Sequence, residues 1–465
     1  MIRNTILLTI IAFFLACQPQ NQKDTSKITI AGKLINANGE EVSLFKGRQK
    51  IPITVKDSIF SIKLPANYAG VKHSIGIENN FIVMFFMPGD SVFVEFDCKT
   101  KDYVFSGDQV LANNFLKEKA EKDKTGYFMP QKSYNLEIDD FNEKMDSVLK
   151  SNHNFFDKYM EKHPDINEDF VYFEKAETNY GIYFYKTYYA STYQYRRKDT
   201  IPQDSKLFEF KKSINLNDAK IINSKYYQNF LEYTISQEAG KLYNNDSTIQ
   251  KKLNPVILSR LEFIKSSISD STILNHLLFS LMKSQFRYYA TNGIDDVLPF
   301  FKENCTNQDY KSEIDSIITD WAKISKGSDA YPFVCQDITG KTYGLEDFKG
   351  KYIYIDFWAT WCAPCLSEVP YLEKIIDDYK GKNIVFISIS VDENKAAWEK
   401  MMRKKNAKGY QLHISKEESE KMMKYYKISG IPRFILLDPE SKIYNVQAAR
   451  PSGNIRQVLD NLENI

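Results

Sequence analysis

The sequence predicts a multidomain α+β protein: an N-terminal antiparallel β sandwich or barrel, a central all-helical region, and a C-terminal α/β module. Two observations lead there. At 465 residues the chain is several times the usual domain size, so two or three cores are expected rather than one. Its hydrophobic period also changes twice, near residues 109 and 327, from alternation to three-and-four spacing and then to strands and helices in turn. Lys plus Arg (62) nearly cancels Asp plus Glu (60), so no large electrostatic field recommends nucleic acid as a partner. The unusual feature of the composition is 30 Tyr and 31 Phe, which favours strands and aromatic-faced helices but names no ligand.

Residues 1–16 have the form of a secretion signal: one basic residue, Arg3, an apolar run from Ile6 to Leu15 too short to span a membrane, and small Ala16. Cys17 follows. Leu15, Ala16 and Cys17 resemble the lipobox of bacterial lipoproteins, with Phe14 where Leu is commoner. The resemblance implies cleavage before Cys17, lipidation of its sulfur and a membrane anchor. Residues 17–27 are polar and unpatterned, as a tether is. The expected location is a periplasm-facing lipoprotein of the cell envelope, where a close Cys pair stays oxidised unless something keeps reducing it.

Residues 28–108 read as short strands broken by turns. "KITIAGKLINANGEEVSLFKG" alternates around Asn38 and Gly39, and "FIVMFFMPGDSVFVEF" is two apolar strands joined at Pro88, Gly89 and Asp90. Cys98 continues the alternation of Val92, Val94 and Phe96, so a buried strand thiol is expected. Cys305 and Cys335 are read as free thiols.

Residues 109–326 carry helical periodicity in "FNEKMDSVLKSNHNFFDKYMEKH", "KYYQNFLEYTISQEAGKLY" and "STILNHLLFSLMKSQFRYY". In "YGIYFYKTYYASTYQY", Tyr185, Tyr188, Tyr189 and Tyr193 share a helix face. Such a face more often packs against another helix than holds a peptide or sugar.

Residues 327–465 alternate again. "KYIYIDFW" and "NIVFISISV" are strands, the segment after Cys362 and "ENKAAWEKMMRKK" and "KEESEKMMKYY" are helices, and "RFILLD", "KIYNVQAA" and "NIRQVLDNLENI" close the module as two strands and a helix. A largely parallel sheet covered on both faces is expected.

The chemistry gathers at "WCAPC", Trp361 to Cys365. A closed zinc site needs four ligands, whereas this chain has five His, none near the pair in sequence, and no second Cys pair. Haem attachment needs His directly after Cys365, and Leu366 stands there. No metal or cofactor is called for. In the redox reading Cys362 lies where the strand has ended and the helix begins, so free N–H groups and the helix dipole favour its thiolate. Pro364 suits the first helical turn. Cys365, one turn in, is expected to be more sheltered, giving an exposed thiol that attacks and a sheltered one that resolves. Asp356, inside an apolar strand, is expected to have a raised pKa and to accept the proton of Cys365, unless it reaches solvent at the strand end. Glu368 lies on the same helix face as Cys365 and is a second candidate, with a solvated surface residue as the alternative. In "SGIPRF" a Pro entering a strand has a purpose if its peptide bond is cis. Ile431 would then offer an extended backbone to a substrate strand.

"DFWATWCAPCLSEVP" followed by "SGIPRF" resembles the thioredoxin fold, and specifically membrane-tethered protein-disulfide reductases of the TlpA and ResA type. The resemblance covers about Ser328 to Ile465. It implies that Asp356 is the buried Asp of thioredoxins, and that Trp358 and Trp361 are the aromatics before the cysteines. By the same resemblance Glu368 is the active-site Glu, Pro370 the helix-kink Pro and Pro432 the cis-Pro. The interval from Cys362 to Pro432 exceeds that of plain thioredoxin, similar to TlpA-like members with an inserted strand and helix. ResA-type members usually carry a neutral residue where Asp356 stands, which leaves open which carboxylate handles the proton. The implied function is reduction of disulfides in envelope proteins by a Cys362–Cys365 dithiol that an integral-membrane thiol donor recharges. Substrate candidates include apocytochromes awaiting haem and wrongly oxidised envelope proteins. The rivals are a disulfide oxidase or isomerase using the same residues, and a ligand- or partner-binding lipoprotein with an accessory redox module. A peroxiredoxin-type peroxidase is disfavoured by Trp361 and the paired cysteines.

Overall fold

The computed structural model describes residues 24–465 apart from 47–48, 69, 71, 124–130, 203, 253 and 405–406. The predicted signal, Cys17 and the first part of the tether therefore lie outside the described residues. Two compact units are present, 1–233 and 234–465.

In the first unit, strands β1 (Lys27–Ile35), β2 (Val42–Lys46), β3 (Gln49–Ile53), β4 (Val55–Lys56), β5 (Ile59–Pro65), β6 (Lys72–Ile77), β7 (Asn80–Phe85), β8 (Ser91–Asp97) and β9 (Tyr103–Gly107) form two sheets. Their orders are β4-β5-β1-β8-β9 and β3-β2-β6-β7. One buried cluster draws on both, with Ile28, Ile30, Val92 and Phe96 from the first and Leu44, Ile75, Ile77 and Ile82 from the second. This corrects the expectation in two ways. The turns at Asn38–Gly39 and at Pro88–Asp90 do not close hairpins but carry the chain from one sheet to the other. The pairing of β1 with β8 is parallel, which a connection that leaves the sheet and returns permits and a tight hairpin does not. Cys98 is buried and unbridged as expected, one residue beyond the end of β8.

Helices α1 (Val110–Asp123), α2 (Ile138–Lys162), α3 (Glu168–Arg197) and the first part of α4 (Lys225–Asn245) complete this unit. Phe85 leaves the sandwich interior to pack among Phe115, Phe156, Phe170 and Phe173 of α1, α2 and α3. Buried Asn113 accepts from the Phe85 amide at 2.8 Å and donates to its carbonyl at 3.1 Å, satisfying both backbone groups at the strand end. The four tyrosines of α3 do not make one open face. Tyr189 is fully buried, stacks on Phe141 and donates to the Leu136 carbonyl, while Tyr188 is exposed.

The second unit continues with α5 (Ser247–Gln250), α6 (Pro255–Ser267), α7 (Ser271–Tyr289), α8 (Leu298–Asn304) and α9 (Gln308–Ala322). Strands β10 (Val334–Gln336), β11 (Thr342–Gly344), β12 (Tyr352–Trp358), β13 (Ile384–Ser390), β14 (Tyr410–His413), β15 (Arg433–Leu437) and β16 (Ile443–Asn445) follow. Interleaved with them are α10 (Ala363–Asp378), α11 (Lys395–Lys404), α12 (Lys416–Tyr425) and α13 (Ile455–Asp460). The sheet runs β11-β10-β14-β13-β12-β15-β16. Only β12, β13 and β14 pair in parallel, so the sheet is mixed rather than largely parallel. The short link between β15 and β16 leaves no room for the crossover that parallel pairing needs. Every residue of β12, β13 and β15 is buried, as expected for strands covered on both faces. Gln447, just after β16, donates to the Tyr288 carbonyl at the end of α7. Its own carbonyl accepts from Asn292, which ties the end of α7 to the segment after β16. Cys305 and Cys335 are buried free thiols.

Candidate active site

The first site element is the end of β12. Seven consecutive apolar or aromatic-flanked residues make the strand, and it stops where Ala359 and Thr360 begin a turn. α10 begins at Ala363 with Pro364 in its first turn, where no backbone donor is missed. Cys362 is the N-cap residue (φ −87°, ψ 91°), and its Sγ accepts from the Cys365 amide at 3.2 Å. The two cysteines form a disulfide with Cα atoms 5.2 Å apart, inside the range the bond requires. The sequence expectation of an exposed attacking sulfur is corrected: Cys362 is 4% and Cys365 3% exposed. Trp358, Ala359 and Trp398 cluster tightly about the pair, with Leu366 and Ile431 packed against them. Trp361 instead stands 70% exposed beside the buried pair, as a surface for contact.

The peptide bond between Ile431 and Pro432 is cis. It lies in the turn before β15, the strand that pairs with β12, so the Ile431–Pro432 turn and the Cys362 turn meet at one end of the sheet. Pro370 lies inside α10.

Asp356 is buried in β12, opposite Ser388 of β13. Burial pushes its carboxyl up to about 7; a hydrogen bond with Ser388 offsets part of the shift, and the charge of Glu368 adds to it. No cation contributes. Asp356 also lines an open cleft with Trp358, Leu366, Met401, Met402, Lys408 and Gln411. Glu368 is not a solvated surface group. It is buried, its Oε2 accepts from the Ser452 amide and its Oε1 from the Ser452 hydroxyl, both at 2.9 Å, and Arg450 lies 3.8 Å away. Its charge adds to the upward shift of Asp356.

Several residues escaped the sequence reading. Asp392, two residues beyond β13, is 3% exposed and accepts from the Thr360 amide at 2.9 Å, from the Thr360 hydroxyl at 2.7 Å and from the Ser390 hydroxyl at 2.7 Å. A signal existed: an Asp just past the carboxyl end of a parallel strand is where open α/β sheets place their sites. Ser452 and Arg450 lie 84 and 82 residues beyond Glu368 in polar sequence, with no pattern to connect them. Arg433, the residue after Pro432, is buried, and its Nη1 has no hydrogen-bond partner. Among the described residues, no group of three His, Cys, Asp or Glu side chains gathers to hold a metal.

A disulfide at a helix N-cap, an adjoining cis-Pro turn and a buried carboxyl on the strand that leads into them are the parts of a thiol–disulfide exchange site. The family model described as thioredoxin-like matches residues 350–443. The thiol-disulfide oxidoreductase ResA of Bacillus subtilis is 33% identical over 123 residues, 26% of this chain and 67% of that protein. ResA of Bacillus thuringiensis is 32% identical over 27% of this chain and 70% of its own length. The chain belongs to the ResA-type, thioredoxin-like thiol-disulfide oxidoreductases. It is a redox enzyme, and its family match lies wholly in the C-terminal part. Among solved structures, the thioredoxin domain of a Bacteroides vulgatus thiol-disulfide oxidoreductase is 32% identical, covering 29% of this chain and 96% of that one, with a TM-score of 0.28.

Proposed function

We propose that this ResA-type oxidoreductase works as a protein-disulfide reductase of the cell envelope, anchored to a membrane through a lipid on Cys17. The observation that carries the reading is Asp356: a buried carboxyl on which no cation acts, on the strand that leads into the redox turn, poised to take a proton near neutral pH. The reduced Cys362 thiolate attacks one sulfur of a substrate disulfide. A Cys362–substrate disulfide forms and the other substrate sulfur leaves as a thiolate, which water protonates. Ile431, Pro432 and exposed Trp361 hold the substrate chain during this step. Asp356 then accepts the proton of Cys365. The Cys365 thiolate attacks the Cys362 sulfur, and the second substrate thiolate departs. The substrate has gained two electrons and the Cys362–Cys365 disulfide has re-formed. A membrane thiol donor returns two electrons for the next cycle, and disulfide-containing envelope proteins are the substrates.

The deciding experiment is the equilibrium reduction potential of the full chain against glutathione and dithiothreitol. A value near about −270 mV supports the reductase. One near about −120 mV reverses the direction to an oxidase or isomerase. Cys362→Ser separates the binding-lipoprotein alternative, because a binding module keeps its partner and phenotype without the thiol.

A further inference from the structure

The pair has an attractive field on one side. Cys362 caps α10, whose first-turn amides favour a thiolate and so favour the reduced form, the opposite of what a strong reductant needs. Something in the fold must counter that field, and the candidate is on the other side of the same turn. The carboxylate of Asp392 takes the Thr360 amide and hydroxyl together, a two-point grip on a residue two positions before Cys362. The Val391 amide donates to the Trp358 carbonyl at 2.9 Å, and the Cys362 amide to the Ala359 carbonyl at 3.1 Å. Every residue from Trp358 to Cys362 except exposed Trp361 is therefore tied either to the 391–392 segment or within the turn. Asp392 is itself held: Ser390 donates to its carboxylate, and His413 bonds its carbonyl at 2.8 Å. No ion pair joins Asp392 to a Lys or Arg among the described residues. Two residues span at most about 7 Å of backbone, and Asp392 and Cys362 are both buried, so little water screens the carboxylate on the side of the turn.

We propose that Asp392 is the positioning residue of the redox pair: it fixes the Thr360 turn that presents Cys362, and its buried negative charge opposes the α10 N-terminus so that the disulfide is favoured and the dithiol is a strong donor. The proposal rests on the reductase reading and supplies its electrostatic cause. Asp392 touches neither substrate nor sulfur and acts through the turn and the field.

The test is the glutathione equilibrium of the full chain and two variants at pH 7, with the thiolate fraction of Cys362 read by its alkylation rate. In this equilibrium one protein disulfide takes two electrons and two protons from two glutathiones, which leave as one glutathione disulfide. Asp392→Asn keeps an acceptor for the Thr360 amide but removes the charge. It is expected to raise the dithiol-to-disulfide ratio about tenfold, some 30 mV for a two-electron couple, and to increase the thiolate fraction of Cys362. Thr360→Val removes one donor from the carboxylate and leaves its charge less compensated, so both readouts are expected to move the opposite way. Opposite shifts support the proposal. No shift in either variant, or shifts in the same direction, overturns it. If Asp392→Asn does not fold, the sign for Thr360→Val decides alone. The wild-type potential tests the direction of the enzyme separately, because the proposal concerns only the differences from it.

Discussion

Two carboxylates, one in each unit, are buried to similar depth and do opposite things. Glu174 of α3 lies 1% exposed between Lys72 of β6, whose Nζ is 2.7 Å from its Oε2, and Lys119 of α1. Burial alone would raise its pKa, but the two ammonium groups outweigh burial and hold it below the usual carboxylate range. Asp356 has comparable burial and no cation, and burial wins. Depth therefore does not set which way a buried carboxylate shifts; the presence of a counter-charge does. The sharpest way to break this contrast is Glu174→Gln. It removes the anion that Lys72 and Lys119 share, while Lys72 keeps Glu177 at 3.6 Å, and should cost roughly 1–3 kcal/mol of stability, read by denaturant unfolding. Disulfide exchange per folded molecule should be unchanged. A fall in exchange activity without a fall in stability would give Glu174 a role in the chemistry and erase the distinction.

Asp356→Asn tests the other half. A carboxyl whose folded pKa lies above its unfolded value contributes stability below the unfolded value, and that contribution is lost as pH rises through the folded one, here between about 4 and about 7. Above pH 7 the native chain carries a buried, unpaired charge that Asn does not. The variant should be more stable there by roughly 2–4 kcal/mol, with the gain fading toward pH 4. Its resolution of a mixed disulfide should slow by about a hundredfold and lose the rise with pH that Asp356 imposes, as read by single-turnover release of a labelled peptide thiol. Faster unfolding above pH 7 in the variant would contradict the burial argument.

What the sequence made legible follows the range over which each cause acts. The Cys pair, its helix, the buried Asp in its strand and the Pro of the adjoining turn announce themselves within a few residues, because capping, alternation and proline chemistry are local. The partner that occupies Glu368 is Ser452, and residue 368 reads equally well as a base, a surface group or a clamp until that loop is in view. The exposure of Cys362 failed for the same reason. Its cover is Trp398 of α11, whose sequence spacing records only an amphipathic helix. In the β unit the turns were visible at Asn38–Gly39 and Pro88–Asp90. Whether a turn closes a hairpin or changes sheet depends on which faces bury together, and alternation is identical in the two cases.

Glu368 offers a smaller perturbation of the same contrast, since it is the anion that raises Asp356 rather than a cation that would lower it. Glu368→Gln keeps an acceptor for Ser452 but removes the charge. The pH midpoint of mixed-disulfide resolution should move lower, and stability should fall by about 1 kcal/mol for the weakened clamp. An upward shift of the midpoint would mean that Glu368 itself holds the proton.

The smallest expected effect concerns a buried cation beside the site that makes no ion pair among the described residues. Arg433 follows Pro432 and faces away from Asp356, since alternate residues of β15 point to opposite sides of the sheet and Asp356 pairs with Phe434. Burial brings its pKa down to about 10. For a cation, a depressed folded pKa means that the favourable contribution exists only above the unfolded value and is lost as pH falls through about 10, so at neutral pH the charge opposes folding. Arg433→Met, of similar length, should therefore raise stability by about 1 kcal/mol at pH 7, less than the full desolvation cost because the hydrophobic replacement must repack. The measurement that matters is paired: thermal unfolding and peptide-disulfide exchange on the same samples. Gain of stability with unchanged exchange makes Arg433 a tolerated burial. Gain of stability with weakened substrate affinity would show that the orphaned Nη1 is kept for the substrate chain, and would put an uncompensated cation on the functional side of the comparison beside the uncompensated carboxyl.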